Sequence, residues 1–311
     1  MDVSVIIVNY NTTDQLCVSV ESVITHTELI NYEIIVVDNS KDDKARGVLE
    51  ERFQDKVRYL GIHKNIGFGK ANNEGLRYAK GRNILFLNPD TILLNNALLI
   101  LSDFLDNNPS TGMAGGNLYN RDLNPAYSFR QFRPSLFWEL NELFFSFPEN
   151  LIYRKNKYFN HSSVPMDVAY ITGADVMIPR RILEITGSFD PSFFLYFEET
   201  DLAHRVRKAG YNIKNVPQAR IIHLEGTSFR SGFERHYNFA CGKINYYKKN
   251  KSRVEFIVMS IISMFTIYAR IMFFWVLSEE SKLKEWQTIY KSYLEACRKV
   301  GKNRNIHRIN I

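Results

Sequence analysis

Four apolar residues, Ile84-Leu85-Phe86-Leu87, run straight into Asn88-Pro89-Asp90-Thr91. An apolar run of this length predicts a buried strand, and Pro89 cannot continue its ladder. Asp90 therefore falls just past the carboxyl end of a core strand, the edge of an open α/β sheet where ligands bind. A carboxylate there can hold a divalent cation, and the cation a diphosphate. An Asn-Pro-Asp turn that merely ends a strand explains the same residues. A second acidic group, Glu198-Glu199-Thr200-Asp201, opens a helical stretch, closed by Gly210, directly after an aromatic loop over 187–197. Acids favour the positive end of a helix dipole, which alone would account for the cluster. Crowded carboxylates beside aromatics also have a reason to titrate nearer neutrality, and such a group can take a proton from a hydroxyl as a general base.

The elements that must position these groups follow a repeated design. Val3–Val8 is a β-branched run that ends in Asn9-Tyr10-Asn11, and Glu33–Val37 another that ends in Asp38-Asn39-Ser40. Between them Thr13 to about His26 has helical spacing, with Thr12, Thr13 or Asp14 as N-cap. Val57–Leu60 is a shorter strand. It leads into Asn65-Ile66-Gly67-Phe68-Gly69-Lys70 and a helix to about Lys80, with Gly81 as its stop. Strands alternating with helices predict a doubly wound, mostly parallel sheet. Three polar strand ends then share one edge. The Gly67-Phe68-Gly69-Lys70 loop is neither a P-loop nor a dinucleotide fingerprint, because Asn72 stands at the third glycine position. It can still offer backbone N–H groups to a phosphate or ribose at a helix start.

Val5-Ile6-Ile7-Val8-Asn9-Tyr10-Asn11, Val36-Val37-Asp38-Asn39-Ser40, Asn65-Ile66-Gly67-Phe68-Gly69 and Leu87-Asn88-Pro89-Asp90-Thr91 together resemble the inverting glycosyltransferases of family 2. The likeness is to their rhamnosyltransferase-like branch and covers roughly residues 3–230. It implies the GT-A fold, a Rossmann-like α/β arrangement, followed here by a C-terminal helical extension. It implies that Asn9, Tyr10, Asn11 and Asp38 meet the nucleotide base and ribose, with Asn65, Gly67 and Asn88 near the donor. The family's Asp-x-Asp motif is replaced by Asn88-Pro89-Asp90, so Asp90 carries the role toward Mg²⁺ or Mn²⁺ with one carboxylate rather than two. His223, before a Gly/Ser-containing loop, falls where the family has a residue near the metal or diphosphate. Arg230 and Arg235 are further phosphate candidates, or solvated charges. The family's usual Glu-Asp-x-Asp reads Glu-Glu-Thr-Asp here. That makes Glu199 the expected base, one methylene longer than usual, and Asp201 the second choice.

The function implied is transfer of a sugar, rhamnose by resemblance, from a dTDP- or UDP-sugar to a saccharide acceptor. The acceptor is expected to be lipid-linked, in surface polysaccharide synthesis. The expected division is a catalytic domain over 1–235, with a nucleotide-sugar half over about 1–115 and an acceptor half over about 116–235, then an extension over 236–311. The aromatic-rich stretch Tyr127–Tyr158 is assigned to the acceptor side from its position. Three other readings remain. A nucleotidyltransferase would also use a strand-end carboxylate and a metal, but Asn9–Thr13 carries no phosphate-clamping charge. A non-catalytic nucleotide-sugar binding subunit would keep Asp38 and Asp90 without needing Glu199. A purely structural membrane adaptor would explain the tail but not the ordered polar strand ends.

The net charge of +7 sits in the tail: residues 243–311 carry 14 Lys/Arg against 5 Asp/Glu, which leaves the motif-bearing part slightly acidic. No basic face on a recognisable nucleic-acid module is present, so no nucleic-acid partner is expected. The cysteines Cys17, Cys241 and Cys297 have neither metal spacing nor a disulfide pattern, which suits a reducing cytoplasm. Val3–Val8 is too short for a signal peptide and lacks a basic leader. Lys248–Arg253 is basic and precedes the apolar Phe256–Leu277, long enough to span a bilayer but interrupted by Arg270. Ser260, Ser263, Thr266 and Arg270 form a narrow polar stripe. That pattern favours a helix lying in the interface beside anionic lipid, at the inner face of the cell membrane, over a span or an ordinary packed helix. Lys282–Val300 is amphipathic and packs back on the domain or pairs two chains in a homodimer.

Overall fold

A computed structural model describes residues 1–224 and 232–302, with side chains described through 300. In chain order the elements are β1 (Val3–Asn9), α1 (Thr13–His26), β2 (Tyr32–Asp38), α2 (Lys44–Phe53), β3 (Val57–Gly61), α3 (Phe68–Leu76), β4 (Asn83–Leu87) and β5 (Thr91–Leu93). There follow α4 (Ala97–Asn107), β6 (Thr111–Tyr119), β7 (Phe129–Arg130), α5 (Leu136–Leu143), α6 (Phe147–Tyr153), β8 (Met166–Asp167), β9 (Tyr170–Ile171) and β10 (Asp175–Pro179). The last are α7 (Arg180–Thr186), α8 (Glu198–Lys208), β11 (Asn212–His223), α9 (Gly232–Asn250), α10 (Arg253–Val276) and α11 (Glu280–Lys302). They form two compact units. One holds Met1–Phe132, Lys155–Pro191 and Glu198–Ser228; the other holds Arg133–Arg154, Ser192–Phe197 and Phe229–Ile311.

The first unit is built on one mixed sheet in the order β3-β2-β1-β4-β10-β6-β11-β5, with β8 beside β11. β3, β2, β1 and β4 are parallel. β10 enters antiparallel to both β4 and β6, and β11 runs parallel to β6. Alternation decides the faces. Val3, Val5, Ile7, Ile34, Val36, Leu85 and Leu87 share one apolar core with α1, α2 and α4. Ile6 and Val37 point the other way, onto α3. There Gly75 lets the helix approach so closely that an added Cβ would lie 2.6 Å from Ile6 Cγ2. Each fully buried aliphatic side chain contributes about 1.5–3 kcal/mol of burial.

The expected helix over Phe68 to Lys80 ends earlier, at Leu76. Gly81 is not its αL stop: a Cβ there would fall 2.3 Å from the Ser4 backbone nitrogen, so the glycine serves a close backbone crossing. Gly210, at φ +91°, does end α8 as the sequence predicts. The aromatic-rich stretch Tyr127–Tyr158 is divided, since residues 133–154 belong to the second unit.

In the second unit α9, α10 and α11 pack together around Ala240, Ile244, Ile267, Tyr293 and Ala296. α5 joins them through a buried carboxylate. Glu139 meets Lys243 Nζ at 2.7 Å, accepts from Ser263 Oγ at 2.5 Å and accepts from the Tyr247 hydroxyl. α10 covers the apolar Phe256–Leu277 and starts earlier, at Arg253, where Ser252 and Glu255 form a reciprocal capping box.

Candidate functional site

The carboxyl ends of β1 and β2 hold each other. Asn9 is the register partner of Asp38, and its amide donates to Asp38 Oδ1 at 3.0 Å. Asn9 Oδ1 accepts from both the backbone N–H and the hydroxyl of Thr12, so Thr12 turns its side chain back and does not cap α1. Asp38 also accepts from the Ser40 N–H at 2.9 Å and, on Oδ2, from the Tyr59 hydroxyl at 3.0 Å. Burial and the neighbouring Asp38 charge push the Tyr59 hydroxyl well above its usual range. Sequence reasoning missed Tyr59, Ser40 and Thr12; only their places beside strand ends hinted at them. Tyr10 is half-buried, and Asn11 is exposed in the left-handed region at φ 56°. Next to this turn Asn39 donates to the Gly67 carbonyl, and Gly67 N–H donates to Asn65 Oδ1. Gly67, at φ +93°, is the N-cap of α3. Asn9, Asn11, Asp38, Asn65 and Gly67 thus form one connected rim.

At the end of β4 the expected metal turn meets the end of β11. His223 Nε2 lies 3.4 Å from Asp90 Oδ1 and 3.4 Å from the Asn88 amide nitrogen. The Leu224 N–H donates to the Asp90 carbonyl at 2.9 Å, which fixes the two segments side by side. Thr91 Oγ1 donates to the Asn88 carbonyl at 2.7 Å. Asp90 and His223 therefore offer one carboxylate oxygen and one imidazole nitrogen at a single point. That donor pair could hold a divalent ion, which would supply positive charge beside a diphosphate. No group of three or more His, Cys, Asp or Glu side chains gathers at one point among the described residues. Arg230 lies outside the described residues.

The acids of α8 separate into three environments. Tyr196 and Phe197 both take left-handed backbone, φ 68° and 70°, and turn the chain sharply into the helix. Glu198 is buried, and its Oε2 has no hydrogen-bond partner among the described residues. Burial first, then the charge of Glu199, raise its pKa well above the usual carboxylate range. Glu199 is half-buried; it accepts from the Thr200 hydroxyl at 3.1 Å, and desolvation raises its pKa too. Asp201 is fully buried and paired with Arg205 at 2.9 Å. The same guanidinium donates to the carbonyls of Thr186, Gly187 and Ser188, so Asp201 anchors a clasp on the loop before α8. The i,i+4 spacing of Asp201 and Arg205 was the signal that could have found it.

Glu199 lies beside a turn that is hydrogen-bonded to Asn88. A Cβ on Gly173 would be 3.9 Å from Glu199 Cγ, and the next carbonyl, of Ala174, accepts from the Asn88 N–H at 2.9 Å. Burial raises the pKa of the Tyr170 hydroxyl, with Arg130 opposing and Glu199 adding to the shift. Arg130 stands 4.8 Å over the Tyr127 ring, which stacks on Tyr158 at 4.8 Å. Tyr127, Arg130 and Tyr158 are thus the part of the aromatic stretch that stays with the acids.

The amino-acid sequence matches the model of glycosyl transferase family 2 over residues 4–183, more than half of the chain. The protein belongs to that family. Its sequence is 24% identical over 282 residues to the low-salt glycan biosynthesis hexosyltransferase Agl10 of Haloferax volcanii, covering 88% of this chain and 85% of that one. It is 24% identical to the dTDP-rhamnosyl transferase RfbF of Shigella flexneri, over 67% of this chain and 65% of the relative. It is 25% identical to the N-acetylglucosaminyl-diphospho-decaprenol L-rhamnosyltransferase of Mycobacterium tuberculosis, over 63% and 67%. The chain is therefore a family 2 glycosyltransferase, similar at this level to a hexosyltransferase and to two rhamnosyltransferases. Among solved structures it resembles GalNAc-T7 with UDP, GalNAc and Mn²⁺, with a TM-score of 0.58 and 16% identity, covering 80% of this chain and 48% of the other. It also resembles TarS of S. aureus, with a TM-score of 0.52 and 15% identity, over 86% and 43%. The chain spans about half the length of these two structures, and they establish the GT-A fold alone.

Proposed function

We propose that this family 2 glycosyltransferase moves a hexose with inversion, from a nucleoside-diphosphate sugar to a saccharide acceptor. The observation that carries the reading is the placement of Glu199 next to Gly173, in a turn whose following carbonyl, of Ala174, is tied to Asn88 and so to the Asp90–His223 pair. A proton acceptor and a diphosphate-binding turn are what such a reaction needs on either side of one sugar carbon. Asn9, Tyr10, Asn11, Asp38, Asn65, Gly67 and Asn88 bind the donor along the strand ends. Asp90 and His223 hold Mg²⁺ or Mn²⁺. When bound, that ion supplies positive charge to the leaving diphosphate. Glu199 takes the proton of the acceptor hydroxyl as its oxygen bonds to the sugar carbon; the carbon–oxygen bond to the diphosphate breaks and its electron pair leaves with the diphosphate. Burial, then the charge of Glu199, raise the Glu198 pKa, which favours its protonated form while Glu199 is charged.

The relatives that carry dTDP-rhamnosyl and diphospho-decaprenol rhamnosyl in their names support dTDP-rhamnose as donor and a lipid-linked saccharide as acceptor. The C-terminal extension attaches the enzyme to the cytoplasmic face of the membrane, where such an acceptor is presented, and its last helix is the candidate homodimer contact. The test is incubation with a panel of dTDP- and UDP-sugars and Mn²⁺. Thermal shift and release of nucleoside diphosphate with one sugar are expected; no response to any of them would overturn the reading.

A further inference from the structure

α10 is inside out. Its polar stripe points into the second unit: Ser263 donates to the buried Glu139, and Arg270, 6% exposed, donates to the Glu142 carbonyl at 2.5 Å and lies over the Phe145 ring. The opposite stripe is apolar and exposed. Val254, Ile257, Ile261, Phe265, Tyr268, Met272 and Trp275 follow one another three or four positions apart, Phe265 at 60% exposure and Trp275 at 63%. A helix of a water-soluble surface has the reverse pattern.

A second, sequence-remote segment extends this face. The turn between α5 and α6 exposes Phe144, Phe145 and Phe147, the last at 67%, and α6 adds Leu151 and Ile152. Phe145 and Ser146 both hold left-handed backbone, φ 56° and 59°, to present these rings. Phe145 meets Phe273 of α10 edge-on at 5.1 Å. The two segments are one continuous surface within one unit. Exposed cations adjoin both segments in the chain: Arg133 and Arg154 on either side of α5 and α6, and Lys249 and Arg253 before α10. Glu255, the acid nearest that end, is spent in the capping box.

We propose that α10 and the Phe144–Ile152 turn together form a docking face that sinks into the surface of an anionic bilayer, with α10 lying in the plane of the membrane. This extends the proposed attachment of the extension, and rests on it, by adding a segment outside the extension and by fixing the orientation. α10 is long and apolar enough to cross a membrane, but α11 returns along it, with Tyr268 and Tyr290 joined at 2.9 Å and Arg270 near Trp286. α11 carries Lys282, Lys284, Glu285, Lys291, Glu295, Arg298 and Lys299. A spanning α10 would drag those charges into hydrocarbon, whereas an in-plane α10 leaves them on the water side.

The test uses the full chain and vesicles of phosphatidylglycerol with phosphatidylcholine, against phosphatidylcholine alone. Cosedimentation should favour the anionic vesicles. A Phe144→Ser/Phe147→Ser/Ile152→Ser variant, with its extension intact and its Tm unchanged, should partition at least tenfold more weakly. Phe265→Ser should do the same. Wild-type binding in the triple variant, with binding lost in Phe265→Ser, would overturn this two-segment face and leave attachment through the extension standing. Loss in neither would overturn both. Tryptophan placed at 258, 265 and 272 should be quenched by brominated lipid at one shallow depth; deep quenching at 265 alone would indicate a span and overturn the orientation. A lipid-free dimer by light scattering, dissolved by the same substitutions, would assign the face to a second copy instead.

Discussion

Asp90 Oδ1 and His223 Nε2 stand 3.4 Å apart at the ends of two strands, each backbone held to the other by the Leu224 N–H. The pair is buried enough to be rigid and polar enough to take an ion. Asp90→Asn should therefore weaken metal-dependent donor binding and cut transfer by at least about 10²-fold, as expected when a charged ligand is lost. The fold should persist, because the residue lies past the strand. Donor titration with and without Mn²⁺, alongside turnover, checks this; unchanged turnover would remove Asp90 from the site.

Glu199 and Asp201 should respond in opposite ways. Glu199→Gln should lower kcat by about 10² or more with little change in donor affinity or melting temperature. Asp201→Asn leaves Arg205 without its charged partner at the loop it clasps, a loss on the order of 3 kcal/mol for a buried pair. Its main effect should be on stability. Steady-state kinetics and thermal melts of both variants separate a base from an anchor.

The raised pKa of Glu199 has a kinetic signature. A base works only when deprotonated, so kcat should fall with acid along a limb lying above the ordinary carboxylate range. Burial favours the protonated form of Glu198, so Glu198→Gln should leave that limb in place. A pH–rate profile of each protein decides the assignment, and a limb displaced in Glu198→Gln would mean that the two carboxyls share the role.

Asp175 predicts a slope in stability. It is fully buried, accepts from the Gly116 N–H at 2.5 Å, and burial raises its pKa well above the usual value. The native state then keeps a proton that the unfolded chain releases above about pH 4. Its contribution is full below that pH and is lost as pH rises toward the raised value. Asp175→Asn lacks this loss, so the variant should gain stability relative to wild type as pH rises above the ordinary carboxylate range. Denaturant midpoints measured over that rise test the sign.

The local signals in the sequence were legible because each is set by its own neighbours. Val3–Val8, Glu33–Val37 and Ile84–Leu87 read as strands from their apolar runs, and Gly210 as a helix stop. What the chain assembles from afar was not. β10 inserts antiparallel between β4 and β6, and nothing near Asp175 announces those partners. The Tyr59 hydroxyl on Asp38 and the inward turn of Arg270 are likewise products of tertiary packing. The polar stripe of α10 was visible from its spacing; that it faces protein rather than water was not.

An enzyme that carries its apolar stripe on the outside of α10 works in two dimensions once adsorbed. With the lipid-linked acceptor proposed above, encounters are then governed by the acceptor's mole fraction in the surface, and no longer by its amount per litre. Diluting the acceptor with inert lipid should slow turnover even when every bulk concentration is held constant.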